Sequence, residues 1–150
     1  MTLHGMVNAH EQIRNLLGRY CELIDAGDFA ALAELFASAR LCDEHGNAFA
    51  TGGDEIRAMW DRQTILYDGS PCTRHITANP ILDVDDSNGT ATARSSYVVF
   101  QATDDLPLQP IASGRYADTF SRGDDGDWQW VERRYTLDHA GDLSHHLRRG

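Results

Sequence analysis

The chain of 150 residues is poor in cysteine, proline and positive charge, and each shortage removes a class of protein. Its three cysteines, Cys21, Cys42 and Cys72, are an odd number without CxxC spacing, so neither a disulfide framework nor a zinc site is expected. Thirteen Lys and Arg stand against 23 Asp and Glu, a formal net charge of -10. Binding to nucleic acid draws most of its affinity from cations paired with phosphates, so neither nucleic acid nor an anionic membrane is an expected partner. No apolar run approaches the roughly 20 residues that span a bilayer, and Met1 to Asn8 lacks the basic and apolar regions of a signal peptide. A soluble, cytoplasmic protein with reduced thiols is the expectation.

What is present reads as one domain over residues 1–150, long enough to bury roughly 68 to 70% of its unfolded surface. Asn8 can cap a helix whose Ile13, Leu16, Leu17, Tyr20, Leu23 and Ile24 recur at helical spacing, and Gly27 ends it. Asp28 caps a second, short helix carrying Phe29, Leu32, Leu35 and Phe36. Residues 40–50 suggest a hairpin around His45-Gly46-Asn47, and Gly53-Asp54 opens a third helix bearing Ile56, Met59, Trp60, Ile65 and Leu66.

From Cys72 onward the residues become β-branched and aromatic, with turn sequences at 86–89, 104–107 and 123–126. Four long antiparallel strands are expected there. Helices followed by a run of strands is the α+β pattern, with a curved sheet packed on the helices. Residues 139–150, with His139, His145 and His146, read as a surface tail without a catalytic role.

His75 stands inside one of these strands, and a strand histidine facing a core needs a reason. Fifty residues upstream Asp25 ends the first helix, and a carboxylate that orients an imidazole makes it a better proton acceptor. The competing explanation is structural: the histidine satisfies a backbone carbonyl and the aspartate stops the helix. Tyr20 serves equally as a core residue with its hydroxyl at the rim or as a hydrogen-bond donor to substrate.

The run from Ile13 to Phe29 with Leu32, Leu35 and Phe36, the segment from Arg74 to Pro80, the segment from Thr90 to Ser95, and Gly114-Arg115-Tyr116 leading to Trp128-Gln129-Trp130 and Arg133-Arg134 together resemble SnoaL-like proteins of the nuclear transport factor 2-like superfamily. The resemblance implies a cone-shaped α+β fold enclosing one hydrophobic pocket, and commonly a homodimer or higher homo-oligomer. Its members include scytalone dehydratase, bile-acid dehydratase, hexachlorocyclohexane dehydrochlorinase, polyketide cyclases, ketosteroid isomerase and ring-dioxygenase small subunits, so the shape alone assigns no reaction. In the dehydratase and dehydrochlorinase branch an aspartate at the end of the first helix pairs with a strand histidine. Asp25 and His75 stand at those positions, and Tyr20 matches a pocket tyrosine.

On an ideal helix Tyr20 and Asp25 are offset by about 140°, so both face one pocket only if the last turn unwinds at Gly27. The remaining candidates for substrate contact are Phe36, Met59, Trp60, Asn79, Val98, Phe100, Arg115 and Tyr116. Asn79 shares the alternation phase of His75, yet Pro80 after it can mark an edge or bulge instead. Arg115 would need a partner if buried, and a salt bridge to a carboxylate such as Asp118 or Glu132 is favoured over an oxyanion contact. Trp128 and Trp130 share one strand face and are expected on an outer layer or against a partner subunit. The acidic turns at 83–86 and 124–127 lack calcium-loop spacing and read as solvated, so no metal is expected.

The functional expectation is a lyase or isomerase that needs no cofactor and acts on a hydrophobic cyclic small molecule, with dehydration the preferred reaction. Alternatives are a polyketide-type cyclase using the same base, and a non-catalytic ligand-binding or association module such as a dioxygenase small subunit.

Overall fold

The computed structural model describes residues 8–149. Helix α1 (Ala9–Ala26) begins where the Asn8 side chain accepts the Glu11 N–H at 2.9 Å. It buries Ile13, Leu17, Tyr20 and Ile24. It ends at Gly27, whose φ of 71° is left-handed; the N–H groups of Gly27 and Asp28 return to the carbonyls of Ile24 and Leu23. Asp28 then caps α2 (Phe29–Leu35) by accepting the Ala31 N–H, so the two helices meet with no linker.

Strands β1 (Arg40–Cys42) and β2 (Ala48–Thr51) form the expected hairpin. Helix α3 (Gly52–Gln63) buries Ile56, Met59 and Trp60 and stops two residues before Ile65, because Thr64 turns extended and pairs with Leu147. Strands β3 (Thr73–Asp85), β4 (Thr90–Thr103), β5 (Leu106–Arg122) and β6 (Trp128–Ala140) follow as an antiparallel meander. The six-stranded sheet runs β2-β1-β6-β5-β4-β3, and only β1 with β6 is parallel. Bulges in every long pairing bend it into an unclosed curve around the three helices. The fold is α+β, as expected.

The inner face depends on which parity of each strand points inward. On β4 the buried set is Ala91, Ala93, Ser95, Tyr97, Val99 and Gln101, so Val98 and Phe100 lie on the opposite face from the one assigned to them. Residues 97–100 are apolar without interruption, and alternation there carries no phase.

Trp128 and Trp130 are also corrected: they are core residues, 5% and 1% exposed. The Trp130 ring lies 4.7 Å from Phe36 and 5.0 Å from Phe120, and its indole N–H donates to Asp118 Oδ1 at 3.1 Å, which makes full burial tolerable. Residues 141–149 are not a loose surface tail. The Ile65 N–H donates to the His146 carbonyl at 2.9 Å, the Arg148 N–H to the Gln63 carbonyl at 2.8 Å, and the Tyr67 hydroxyl to the His145 carbonyl at 2.6 Å. The segment is a strap held against the end of α3.

Candidate functional site

Between α1, α3, the inner sheet face and this strap lies a cavity of about 410 Å³. Tyr20 and Ile24 come from α1, Met59, Trp60 and Gln63 from α3, and His75, Tyr97, Val99, Ala112, Tyr116 and Tyr135 from the sheet. Leu143, His146 and Leu147 of the strap close one side. The wall is apolar and aromatic with few polar groups, the character of a site for a hydrophobic small molecule.

His75 Nδ1 lies 2.6 Å from Asp25 Oδ1. The same carboxylate accepts the Thr73 hydroxyl at 2.9 Å and the His75 backbone N–H at 2.9 and 3.1 Å, so its orientation is fixed from three directions. The carboxylate at Nδ1 assigns the proton of the neutral ring to that nitrogen. Nε2 is then a free lone pair with no partner among the described residues, on a ring that lines the cavity. No unwinding of α1 is involved: the helix continues to Ala26 and Asp25 lines a groove behind His75, while the imidazole spans from that groove to the cavity. The geometric condition inferred from the helical offset is therefore replaced by reach through the ring.

Tyr20 is buried at the cavity wall, edge-on to His75 with ring centroids 6.1 Å apart and its hydroxyl 3.4 Å from that of Tyr135. Burial raises the Tyr20 pKa against the opposing Arg133 charge, and burial likewise pushes Tyr97 up to about 12. Both remain neutral hydrogen-bonding groups across the physiological range. Met59, Trp60 and Tyr116 line the cavity. Phe36 is fully buried between Tyr20 and Trp60, 5.9 and 6.0 Å away, and is packing rather than wall.

Asn79 and Arg115 are not brought to this cavity. Asn79 is exposed in a left-handed conformation, φ 55°, at the β3 bulge before Pro80. Arg115 is exposed on the outer face and donates to Asp138 at 2.9 and 3.0 Å, so its partner is neither Asp118 nor Glu132. Asp118 instead holds Arg133, a residue the sequence reading left without a role. Both side chains are fully buried, with Arg133 Nε and Nη2 donating to Asp118 at 2.8 and 3.1 Å. The guanidinium lies 3.6 Å from the Tyr116 ring and 4.4 Å from that of Tyr20, bracing both cavity tyrosines from behind.

Tyr97, Val99, Tyr135 and His146 were also missed. His146 is 9% exposed, and burial, reinforced by neighbouring His75, pushes its pKa down to about 4. Its apolar neighbours Leu143 and Leu147, at three- and one-residue spacing, were the only available signal. Among the described residues no group of three His, Cys, Asp or Glu side chains could hold a metal ion, and no helix is long and apolar enough to cross a membrane.

A SnoaL-like domain model matches residues 5–134. No curated protein matches the sequence. Among solved structures, an NTF2-like protein with a cystatin-like fold from Novosphingobium aromaticivorans is 26% identical with a TM-score of 0.70, over 90% of this chain and 85% of its own. A Mycobacterium tuberculosis protein of unknown function is 28% identical with a TM-score of 0.70, over 85% of this chain and 75% of its own. A scytalone-dehydratase-like protein from Novosphingobium aromaticivorans shares the fold at 22% identity and a TM-score of 0.70, over 95% and 91% of the two chains. The domain match over most of the chain, with the helices, curved sheet and apolar cavity, makes this protein a member of the SnoaL-like family of the NTF2-like superfamily.

Proposed function

We propose that the protein is a lyase or isomerase that removes a proton beside an electron-withdrawing group of a hydrophobic cyclic small molecule, with His75 as base and Asp25 as its orienting partner. The supporting observation is the 2.6 Å contact between His75 Nδ1 and Asp25 Oδ1, which leaves Nε2 as the acceptor on the cavity side. Proton abstraction yields an enolate and an imidazolium; the β-hydroxyl then leaves as water by taking that proton back from His75, which completes a dehydration and restores the neutral ring. This chemistry calls for no cofactor, and the resulting imidazolium is stabilised by the Asp25 carboxylate. Tyr20 supplies a neutral hydroxyl on the same wall.

The test uses α-proton exchange, which precedes dehydration, isomerisation and cyclisation alike. The wild-type chain is expected to speed deuterium incorporation into 1-tetralone in heavy water, read by mass spectrometry. His75→Ala and Asp25→Asn are expected to lower that rate by about 10²-fold or more with unchanged far-UV circular dichroism. An unimpaired rate in the His75 variant removes the reading. Among β-hydroxy ketones, appearance of the conjugated enone marks a dehydratase, and carbon–carbon bond formation in a poly-β-ketone marks the cyclase. Self-association, implied by the family, is a separate proposal read by sedimentation at micromolar concentration; a monomer there removes it.

A further inference from the structure

The strap carries a second imidazole that the proposed chemistry has not used. His146 is more than nine-tenths buried, lines the same cavity as His75, and its ring centroid lies 6.4 Å from that of His75. Its backbone is fixed on two sides: the His146 N–H donates to the Leu143 carbonyl at 3.0 Å, and its carbonyl accepts the Ile65 N–H at 2.9 Å. The preceding carbonyl, of His145, accepts from Tyr67 at 2.6 Å and from the buried Gln101 amide at 3.0 Å. The ring is thus held in place by its frame, while its own nitrogens are unspoken for.

Those two nitrogens are not equivalent. Nδ1 is closed off from solvent with no partner among the described residues. Nε2 has no protein partner either but is not closed off, so it is the polar edge the ring turns to open space. A buried N–H without an acceptor costs more than a buried lone pair without a donor. The proton of the neutral ring therefore belongs on Nε2. The titratable groups facing this ring are His75 and, behind it, Asp25.

We propose that His146 is a substrate-binding residue, whose Nε2–H donates a hydrogen bond to the carbonyl oxygen on the carbon next to the one that His75 deprotonates. The inference rests on the proposed role of His75 for which oxygen is meant, but the binding itself stands apart from turnover. Two contacts of roughly 3 Å each, converging on the α-carbon and the oxygen of one carbonyl group, are compatible with rings at this separation. Among the wall tyrosines, Tyr97 donates to the Thr136 carbonyl at 3.4 Å, and one of the Tyr20 and Tyr135 hydroxyls is engaged by the other. His146 thereby adds a neutral ring donor opposite the acceptor on His75, beside the tyrosine hydroxyls of the wall. That pairing selects cyclic ketones or β-hydroxy ketones over oxygen-free hydrocarbons of the same shape.

The test compares 1-tetralone with tetralin, its oxygen-free analogue, by calorimetry on the full chain. The wild type is expected to prefer the ketone by about 3- to 10-fold, the range of one neutral hydrogen bond. His146→Phe is expected to abolish the preference while binding tetralin as before, and His146→Gln, which keeps an amide donor near the position of Nε2, to restore it. A preference that survives in His146→Phe overturns the proposal, as does an equal loss of both ligands in that variant. No ketone preference in the wild type overturns the substrate class. Nitrogen-15 correlation spectra of the ligand-free wild type give an independent readout: the Nε2–H tautomer of His146 supports the assignment and the Nδ1–H tautomer sinks it. Deuterium exchange reports on His75 and ligand preference reports on His146, so either reading can fail while the other stands.

Discussion

Two residues far from the reactive edge decide whether the cavity keeps its shape. Arg133 and Asp118 have no exposed side-chain surface and are joined by two charge-assisted bonds, with Trp130 as a third donor to the carboxylate. Taking such a pair out of water costs several kcal/mol per ion, which mutual attraction offsets only while both partners remain. Asp118→Ala strands a guanidinium among the rings of Tyr20, Tyr116 and Trp130 and is expected to cost about 3–5 kcal/mol in urea unfolding. The joint replacement Asp118→Leu with Arg133→Met removes both charges and is expected to recover much of that loss. A single-variant cost below about 1 kcal/mol would contradict this account of the core. Neither member was recognisable in the sequence, because Glu132 and Arg133 are adjacent and both buried, a pattern that simple alternation forbids. The cause is a bulge at Val131, where Phe120 pairs with Trp130 but Thr119 pairs with Glu132. Before it the even residues of β6 point inward, and after it Arg133, Tyr135 and Leu137 do.

At the scale of elements, β5 and β6 approach closely at Gly114, beside the bulge that pairs Ser113 with His139 and Gly114 with Leu137. A Cβ placed there would stand 1.9 Å from the Thr136 carbonyl and 2.7 Å from the Tyr97 hydroxyl, a cavity-wall residue. Gly114→Ala is therefore expected to cost about 1–3 kcal/mol through strand displacement and to weaken tetralin binding by moving Tyr97. Unchanged thermal stability would show that the strands have slack the structure does not display. Helices α1 and α2 and all six strands were legible because each carries local punctuation: Asn8 and Asp28 as caps, Gly27 as stop, and acidic turns between strands. Asp25, His75, Tyr20, Met59, Trp60 and Tyr116 were legible as candidates, and all but Asp25 line the cavity itself, with Asp25 directly behind. Asn79 was misplaced because a bulge resets the facing of β3, and a bulge is a property of the pairing, which a single strand's sequence does not encode; Val98 and Phe100 lie in an apolar run whose alternation carries no phase, and Arg115 takes the face opposite its neighbour Tyr116.

At the scale of the molecule, the cavity is closed by the part of the chain farthest in sequence from α1. Leu143, His146 and Leu147 form one wall, and the strap that carries them is tied to residues 63–67, to Ile111 and to Gln101 by hydrogen bonds. These bonds lie at the margin of the helix–sheet core, touching it only at Ile111 and through Leu143, and not at Phe36, Phe120 or Trp130. A chain ending at Ala140 should therefore fold, with the far-UV spectrum of α1 and the sheet intact, but with an open cavity. Two half-buried leucines and the bonds of the strap together correspond to a loss on the order of 3 kcal/mol, seen as a lower melting temperature. Because the missing wall is mostly apolar, tetralin and 1-tetralone should both weaken, by about 10-fold or more, in contrast to His146→Phe, which separates them. Retention of tetralin affinity in the shortened chain would mean that the ligand sits deeper, against Tyr20, Tyr97 and Tyr116, and that the strap covers the opening without touching what lies inside.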